Sequence, residues 1–313
     1  MAGGLSPGHY FLSGIKMDEL NLCVLIVEDN ASIAKLLLLV FENNKFKTKW
    51  VFLGEKVLNA CLEEVPDLIV FDPTLPDKDG FEVIKEIKNH IILKEIPVIF
   101  LLEEEEKQNL RVLPFSPLDI MVKPINLNEL ELRIKNWISF LENQKALKKA
   151  AMTDPLTGLM NNLALETELT LKCYHGEKFE KIFSTLMMDV DHFTRYNDIY
   201  GHQFGDSLLQ VLAVFWCSLL RSADTLFRYK GGRFVAIIAD ANLERGMMTA
   251  ERLRKATYER NLPHQRGIDN RVTISIGVTA FKKGDTAGTL LHRVATYLAE
   301  AKKSGRNVVK GGV

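Results

Sequence analysis

The sequence predicts an α/β protein of two domains, the first built on a parallel sheet with helices on both faces. In the first half, short apolar runs alternate with segments of helical periodicity, which is typical of a doubly wound sheet. In the second half, two apolar runs flank Gly231-Gly232, the composition of a β-hairpin. The 313 residues are enough for two domains of ordinary size.

Composition excludes several classes of protein. A hydrophobic fraction of 47% and a formal net charge of zero indicate a globular chain without the charge excess that favours nucleic acid or anionic membranes. No run approaches the roughly 18 uninterrupted apolar residues of a membrane span. Residues 1–20 lack a signal-peptide pattern, and we expect them to be disordered. The four cysteines are scattered, as expected of reduced thiols in a cytoplasmic protein.

Four apolar runs in the first domain predict buried parallel strands. These runs are Cys23-Val24-Leu25-Ile26-Val27, Leu68-Ile69-Val70-Phe71, Val98-Ile99-Phe100-Leu101-Leu102 and Ile120-Met121-Val122. Charged residues follow three of them: Glu28 and Asp29, then Asp72, then Lys123. The carboxyl ends of parallel strands share one edge, so these side chains should meet there. Taken singly, each charge is equally consistent with a strand end that meets solvent.

Over residues 21–140 this arrangement resembles the receiver domain of two-component response regulators, a flavodoxin-like fold. The resemblance implies that Asp72 accepts a phosphoryl group, for which a histidine kinase would be the donor. Glu28, Asp29 and Asp72 would hold Mg²⁺, and Lys123 would pair with the phosphate. A carboxylate nucleophile beside a cation site and an ammonium suits that chemistry.

The first domain departs from the receiver pattern at two positions. Leu102 stands where receivers carry Ser or Thr, and Ile120 stands where they carry an aromatic switch residue. The usual coupling between phosphorylation and the protein surface is therefore missing. We expect this domain to serve docking or dimerisation, which makes a homodimer one expected state.

A helical connector is predicted from residue 126 to about 151, and we assign its residues 141–152 as the linker between domains. Leu130, Ile134, Trp137 and Leu141 follow each other at alternating four- and three-residue steps. Such a row of apolar side chains can pair two helices as a coiled coil, or it can pack on the first domain itself. The sequence leaves both interpretations open.

The second domain, residues 153–313, contains short motifs in a fixed order. They include Asp154-Pro155-Leu156-Thr157-Gly158-Leu159, Asp189-Val190-Asp191, Asn197-Asp198, Gly205-Asp206, Ser275-Ile276-Gly277-Val278 and Lys302-Lys303-Ser304-Gly305-Arg306-Asn307. The set resembles the GGDEF family, the diguanylate cyclases that condense two GTP molecules into cyclic di-GMP. The resemblance implies an α/β domain with a central mixed sheet.

The signature pentapeptide of that family falls on residues 230–234, and its two acidic positions are Gly232 and Arg233. In the family these carboxylates hold a divalent cation together with the first Asp of the upstream strand, here Asp189. At about 4 Å and an effective dielectric near 20, Arg233 repels each unit charge of such a cation by roughly 4 kcal/mol. From this we predict a degenerate domain with no catalytic residue and no cyclase activity, and with Asp189 as the remnant of the metal site.

Other family positions are retained. Asn197 and Asp206 match the residues that hydrogen-bond the guanine of GTP, and Lys302 and Arg306 match those that hold its phosphates. An amide and a carboxylate suit the mixed donor and acceptor edge of guanine. The alternative is that these four residues now only cap helices or fill a surface.

Arg221 and Asp224 form an Arg-x-x-Asp pattern at the offset where cyclic di-GMP inhibits many family members, and Arg252 matches a second arginine of that site. As a bare pattern it is weak, since Arg266-Gly267-Ile268-Asp269 matches it equally well. A guanidinium can bond guanine O6 and N7, and a carboxylate can accept from guanine N–H groups. The alternative is an Arg–Asp ion pair on the surface.

These inferences predict a cyclic di-GMP receptor that does not make its ligand and that signals through a protein effector. Two alternatives remain: a GTP-sensing regulator that uses the retained pocket, and a scaffold that binds no nucleotide. The family resemblance adds enrichment at a cell pole as a further expectation.

Overall fold

A computed structural model describes residues 22–106 and 115–312. The chain divides into two compact units, Met1–Ala146 and Leu147–Val313, and each contains one five-stranded sheet with helices. The predicted α/β class with one parallel and one mixed sheet is thereby confirmed. The predicted extension at residues 1–20 lies outside the described residues. The finer boundaries, including a linker at residues 141–152, stay predictions.

The first unit is a parallel sheet with the strand order β2-β1-β3-β4-β5. Its strands are β1 Cys23–Val27, β2 Lys47–Val51, β3 Leu68–Phe71, β4 Val98–Leu102 and β5 Asp119–Val122. Its helices are α1 Ala31–Asn43, α2 Gly54–Glu63, α3 Gly80–Asn89 and α4 Leu127–Ala151, the last of which ends in the second unit. Since β1 and β3 are neighbours, the residues that follow them share one edge of the sheet.

The sequence analysis missed strand β2. Its sequence, Lys-Thr-Lys-Trp-Val, has no continuous apolar run, because it lies at the edge of the sheet and only Val51 is buried. Central strands such as β1 and β4 are buried along their whole length, and for that reason they could be recognised from composition.

The apolar row of α4 packs into the core of the first unit. Leu130, Ile134, Trp137 and Leu141 are buried together with core residues such as Phe41, whose ring lies parallel to that of Trp137 at 6.4 Å. This outcome decides between the two interpretations of the connector: the row covers its own domain and is not an exposed coiled-coil face.

The second unit is a mixed sheet with the strand order β10-β9-β6-β8-β7, in which only β10 and β9 are parallel neighbours. Its strands are β6 Phe183–Val190, β7 Thr225–Lys230, β8 Arg233–Ala239, β9 Ile274–Ala280 and β10 Val309–Gly312. Its helices are α5 Asn162–Phe179, α6 Phe193–Tyr200, α7 His202–Leu219, α8 Leu243–Glu259 and α9 Ala287–Lys303.

The predicted hairpin is formed by β7 and β8, with Gly231 and Gly232 as its turn. Gly231 has a φ of +56°, a conformation that glycine adopts without steric cost. A Cβ on Gly232 would lie 3.0 Å from Cγ of Phe193, so this position is also tight. The hairpin thereby brings Arg233, the first residue of β8, opposite the end of β6.

The core of the second unit lies on both faces of its sheet. On one face, buried Trp216 packs edge-on against Phe234 at 5.0 Å and donates a 2.9 Å hydrogen bond to the hydroxyl of Thr257. That bond satisfies the indole N–H away from water. No helix within the described part of the chain is both long enough and apolar enough to span a membrane.

Candidate functional site

Three carboxyl groups meet at the edge of the first sheet, and we call Glu28, Asp29 and Asp72 the carboxylate cluster. One oxygen of each lies within 4.8 Å of one from either of the others. Glu28 and Asp72 are buried, and Asp29 is exposed. Lys123 forms an ion pair with Asp72, and its Nζ lies 3.5 Å from Glu28 Oε2. The four residues that the sequence predicted to converge are therefore together.

Glu28 is the member of this cluster with an unsatisfied atom. Its Oε1 accepts a 3.0 Å hydrogen bond from the Asn30 backbone N–H, whereas Oε2 is buried, lies 3.5 Å from Lys123 Nζ and has no hydrogen-bond partner among the described residues. Burial raises the pKa of Glu28 to about 7, and the neighbouring Asp72 carboxylate adds to the rise, while Asn30 and Lys123 oppose it. Oxygen donors with such an unpartnered atom fit a hard divalent cation. A cation held by Glu28, Asp29 and Asp72 would supply positive charge to an incoming phosphoryl group.

The surroundings of Asp72 show both departures from the receiver pattern. Asp72 Oδ1 accepts a 2.8 Å hydrogen bond from the Thr74 backbone N–H, and the Thr74 hydroxyl donates to Glu106 instead of to Asp72. Leu102 is fully buried at the end of β4, and Ile120 is half-buried on β5. The hydroxyl and the aromatic ring that usually transmit phosphorylation have no counterpart at these two positions.

A second charged centre lies where β6 and β8 pair, and we call Asp189, Arg233 and Lys302 the cation clamp. Asp189 and Arg233 are directly opposite each other in the antiparallel pair, which places the side chains in reach. Asp189 Oδ2 lies 3.1 Å from Arg233 Nε and 2.8 Å from Lys302 Nζ of α9. One carboxylate is therefore shared by two cations.

The clamp does not fit the divalent cation that the family resemblance implies. A hard cation needs several oxygen ligands, whereas here the single carboxylate already neutralises two positive side chains. Asp191, two residues along the chain, is committed elsewhere. It accepts from Thr273 Oγ1 at 2.8 Å, from Ser275 Oγ at 2.6 Å and from the Asn307 backbone N–H at 3.0 Å. Within residues 22–106 and 115–312, three metal-ligating groups converge only at the carboxylate cluster.

The other predicted nucleotide residues lie on α6, on α7 and after α9. Asn197 Oδ1 is buried without a hydrogen-bond partner and lies against Gly205, where a Cβ would approach it to 1.8 Å. Asp206 follows Gly205 and is exposed. Arg306 has a φ of +66°. Burial lowers the pKa of His192 at the start of α6, and the positive charge of Arg306 lowers it further.

Arg221 and Arg252 line one cavity, which we call the arginine cleft. Its volume is about 450 Å³, within the range of roughly 300–1,000 Å³ that small-molecule sites occupy. The lining residues are Arg221, Ile238, Ala241, Arg245, Met248, Thr249 and Arg252. Arg252 Nη2 donates a 2.8 Å hydrogen bond to the Leu219 carbonyl, which ties α8 to the end of α7.

Asp224 is placed differently from the simple expectation that it faces the ligand beside Arg221. Its Oδ2 accepts from the Arg221 backbone N–H at 3.0 Å and its Oδ1 from the Ala239 N–H at 3.1 Å. Asp224 does not line the cleft. Among the described residues no carboxylate lies within ion-pair distance of the Arg221 guanidinium, so the surface ion pair considered from the sequence is not formed.

Sequence reasoning missed Arg245, the third arginine of the cleft. Its Nη1 donates a 3.1 Å hydrogen bond to the Asp240 carbonyl. The signal was present in the spacing, because Arg245, Thr249 and Arg252 are four and three residues apart and therefore share one face of α8. The sequence alone does not show that α8 packs beside Arg221, because this depends on how the strands are ordered in the sheet.

Comparisons with known proteins match each part of the chain to a domain family. The family model described as the GGDEF domain of diguanylate cyclases matches residues 151–308, and that of the response regulator receiver domain matches residues 24–135. The response regulator PleD of Caulobacter vibrioides is 30% identical over 329 residues, covering 99% of this chain and 70% of PleD. The diguanylate cyclase DgcP of Pseudomonas aeruginosa is 34% identical over 181 residues, 58% of this chain and 26% of DgcP.

One solved structure resembles the second unit. The coiled coil and GGDEF domain of DgcB from Caulobacter crescentus, in complex with c-di-GMP, superposes with a TM-score of 0.51 at 26% identity. The match covers 58% of this chain and 99% of that chain. The two resemblances inferred from the sequence, to receiver and GGDEF domains, are therefore confirmed.

The same comparisons contradict the prediction that the chain is not an enzyme. The matched family model is that of diguanylate cyclases, and DgcP is named as one. The prediction was drawn from two substituted positions, Gly232 and Arg233, whereas the family match extends over residues 151–308. An enzyme is therefore the supported assignment, and the substitutions describe how one part of the site differs from the family pattern.

Proposed function

This chain belongs to the GGDEF family of diguanylate cyclases and also carries a response regulator receiver domain, and we propose that it is a signalling protein that binds cyclic di-GMP in the arginine cleft. The observation that carries the proposal is that Arg221, Arg245 and Arg252 line a single cavity. The related DgcB domain was crystallised with c-di-GMP, which supports the choice of ligand.

The chemistry of the cleft suits a dianionic guanine dinucleotide. Each guanidinium has five N–H donors in a planar fork that can bond guanine O6 and N7, or the oxygens of a phosphodiester. Arg221 has no carboxylate partner among the described residues, so its donors are available to a ligand. The apolar part of the lining, Ile238 and Met248, offers contact to a base.

In this proposal Asp224 acts as a positioning residue. By accepting the backbone N–H groups of Arg221 and Ala239, it fixes the turn before β7 to the end of β8. That turn sets where the Arg221 side chain starts. Replacing Asp224 should therefore weaken binding through Arg221, with the loss depending on how far the turn moves.

A second candidate function, binding of GTP in the retained pocket, is favoured by one specific observation. Asn197 Oδ1 is a buried acceptor without a hydrogen-bond partner. A buried polar atom left unpaired is costly, and because Asn197 Oδ1 lies against Gly205, the amide would meet an N–H group of guanine only after the side chain turns outward. Asp206, Lys302 and Arg306 complete the set that the sequence predicted for this ligand.

Calorimetric titration of cyclic di-GMP into nucleotide-free protein tests the proposal. Arg221→Ala should weaken binding by about 5- to 150-fold, since one bidentate arginine contributes about 1–3 kcal/mol. The matched control is Arg266→Ala, which removes the arginine of the second Arg-x-x-Asp sequence, far along the chain in the segment before β9. The control should bind like the wild type.

Three outcomes would contradict the proposal. Binding that Arg221→Ala leaves unchanged would place the ligand elsewhere. GTP binding without cyclic di-GMP binding would favour the GTP-sensing alternative. No binding of either nucleotide would favour a scaffold.

Five further expectations stay predictions: the homodimer, the protein effector, the histidine kinase, the cytoplasmic location and the enrichment at a cell pole.

A further inference from the structure

The cation clamp carries an excess of positive charge that the Asp189 carboxylate does not balance. Arg233 and Lys302 share the single oxygen Asp189 Oδ2. Such a group repels a divalent cation and attracts an anion. In the GGDEF pattern this place belongs to acidic residues and a metal, so the substitution inverts the sign of the charge that a nucleotide meets there.

The clamp also has hydrogen-bond donors to spare. A guanidinium has five N–H groups and an ammonium three. Arg233 contacts Asp189 through Nε, and within the described residues its two terminal nitrogens make no other side-chain hydrogen bond or ion pair. The same holds for Lys302, whose one ion pair is with Asp189. Asp189 holds both cations in place and leaves most of their donors unused.

The clamp is accessible and partly desolvated. The side chains of Arg233 and Lys302 are 30% and 31% exposed, and that of Asp189 is 13% exposed. Charges at such a depth act more strongly on an anion than fully solvated ones do, because less water screens them. A ligand can reach the clamp without any rearrangement of the β6–β8 pair.

Arg306 lies in a loop after α9 that hydrogen bonds tie to the rest of the second unit. Asn307, next to Arg306, donates its backbone N–H to buried Asp191 at 3.0 Å, and its side-chain Oδ1 accepts from Arg254 Nη1 at 2.9 Å. Arg306 itself lies close enough to the start of α6 to lower the pKa of His192, after the larger effect of burial. Its backbone is therefore fixed before any ligand arrives.

We propose that the cation clamp binds the phosphate chain of a guanine nucleoside triphosphate without a divalent cation, with Arg233 supplying the positive charge that a metal would otherwise bring. Phosphate oxygens suit these donors, since a guanidinium bonds them bidentately and an ammonium binds them as a point charge. This inference refines the GTP-binding candidate and is independent of the arginine cleft.

The experiment is calorimetric titration of guanosine 5′-(β,γ-imido)triphosphate into the full chain, once in EDTA and once in Mg²⁺. Affinity in EDTA should equal or exceed that in Mg²⁺. Arg233→Gln and Lys302→Gln should each weaken it at least about tenfold, because each removes a charged hydrogen bond. Lys303→Gln is the matched control, since Lys303 is the exposed neighbour of Lys302 on α9 and should have no effect.

Binding that requires Mg²⁺, binding that survives both substitutions, or no binding in either buffer would each overturn the inference. Thermal unfolding of every variant shows that the loss concerns the ligand and not the fold. Arg221→Ala, measured in parallel, should bind the GTP analogue normally. If the GTP analogue does not bind but cyclic di-GMP does, the inference about the cation clamp is wrong and the proposal for the arginine cleft is unaffected. If the GTP analogue binds but cyclic di-GMP does not, the proposal for the arginine cleft is wrong and the inference about the clamp is unaffected.

Discussion

The carboxylate cluster with Lys123 and the cation clamp both combine carboxylates and cations beside the end of a strand, yet their charge balance is opposite. In the cluster, three carboxyl groups face one ammonium, and Glu28 Oε2 has no hydrogen-bond partner. In the clamp, one carboxylate faces a guanidinium and an ammonium whose remaining donors are unused. The first arrangement suits a cation and the second an anion.

A residue at a family's metal-ligand position does not by itself determine which ligand binds there. Asp189 occupies the place of a metal ligand in the GGDEF pattern, but the residue across the strand pair, Arg233, decides what can bind beside it. In the first unit, Glu28 and Asp72 are both buried beside a single ammonium, that of Lys123, so a cation can supply the positive charge that this pair of carboxyl groups lacks.

The largest expected effect concerns Asp72. With ³²P-labelled acetyl phosphate and Mg²⁺, the wild type should incorporate label and Asp72→Asn should incorporate none, because that substitution removes the attacking carboxylate. EDTA should abolish the reaction, since the carboxylate cluster needs its cation. Scintillation counting of the purified protein measures both results.

Asp29→Asn is the control for this prediction, because it weakens the cation site and leaves the acceptor in place. Its labelling should be slower than that of the wild type, and it should not vanish. Because Leu102 and Ile120 replace the usual coupling residues, labelling should leave the oligomeric state unchanged in size-exclusion chromatography. Label on the Asp72→Asn protein equal to the wild-type level would show that the cluster is not the acceptor site.

Asp285 and Arg293 form an ion pair of one negative and one positive charge, and this pair is the reference for the carboxylate cluster and the cation clamp. Asp285 accepts from Arg293 at 2.8 and 2.6 Å and from the Lys282 N–H at 2.9 Å. Burial by itself would raise the pKa of Asp285, but Arg293 and the Lys282 N–H lower it below its usual value. Asp285→Asn should lower the free energy of unfolding by about 3 kcal/mol at pH 7 and change no ligand affinity.

The pH dependence of that pair has a definite sign. Because the folded-state pKa is depressed, the stabilisation is present above the ordinary pKa of Asp, about 4, and is lost as the pH falls through the lower folded value. Urea unfolding of the wild type and Asp285→Asn should therefore converge at acid pH. A difference that stays constant from pH 7 to pH 3 would argue against the ionic contribution.

The smallest expected effect comes from a substitution that gives the cation clamp a charge balance closer to that of the carboxylate cluster. Arg233→Glu puts a second carboxylate opposite Asp189, so the centre should lose its attraction for an anion. Affinity for the GTP analogue in EDTA should fall at least about tenfold, the equivalent of 1.4 kcal/mol or more, and Mg²⁺ should restore part of it. Calorimetry in the two buffers measures this, with Lys303→Glu as the control for net charge. Equal losses of affinity in Arg233→Glu and Lys303→Glu would show that the effect comes from the net charge of the protein and not from the position of Arg233.

Much of the fold could be predicted from the sequence because the central strands are continuous apolar runs. Strand β2, Lys47–Val51, was not recognised, because it lies at the edge of the sheet, buries only one side chain and carries two lysines. The contacts of α4 were also undecidable, because an apolar row at four- and three-residue steps suits a coiled coil and a domain surface equally.

The convergence of the carboxylate cluster with Lys123 was predictable from the sequence, whereas in the second unit the candidate residues were predictable one by one but their contacts were not. Arg221 and Arg252 were found from their offsets, whereas Arg245 needed the packing of α8 to be recognised. The engagement of Asp224 with two backbone N–H groups leaves no trace in the sequence. The prediction of an inactive domain rested on Gly232 and Arg233 alone, and two positions were too narrow a basis for denying an enzyme whose family match extends over residues 151–308.

The central claim, that cyclic di-GMP binds the arginine cleft, is tested most directly by hydrogen–deuterium exchange of the full chain with and without the ligand. Protection should appear in the turn at residues 219–225 and at residues 243–253 of α8, which carry Arg221, Arg245 and Arg252. Protection confined to residues 193–206 and 302–307 would place the ligand in the nucleotide pocket instead and would contradict the account.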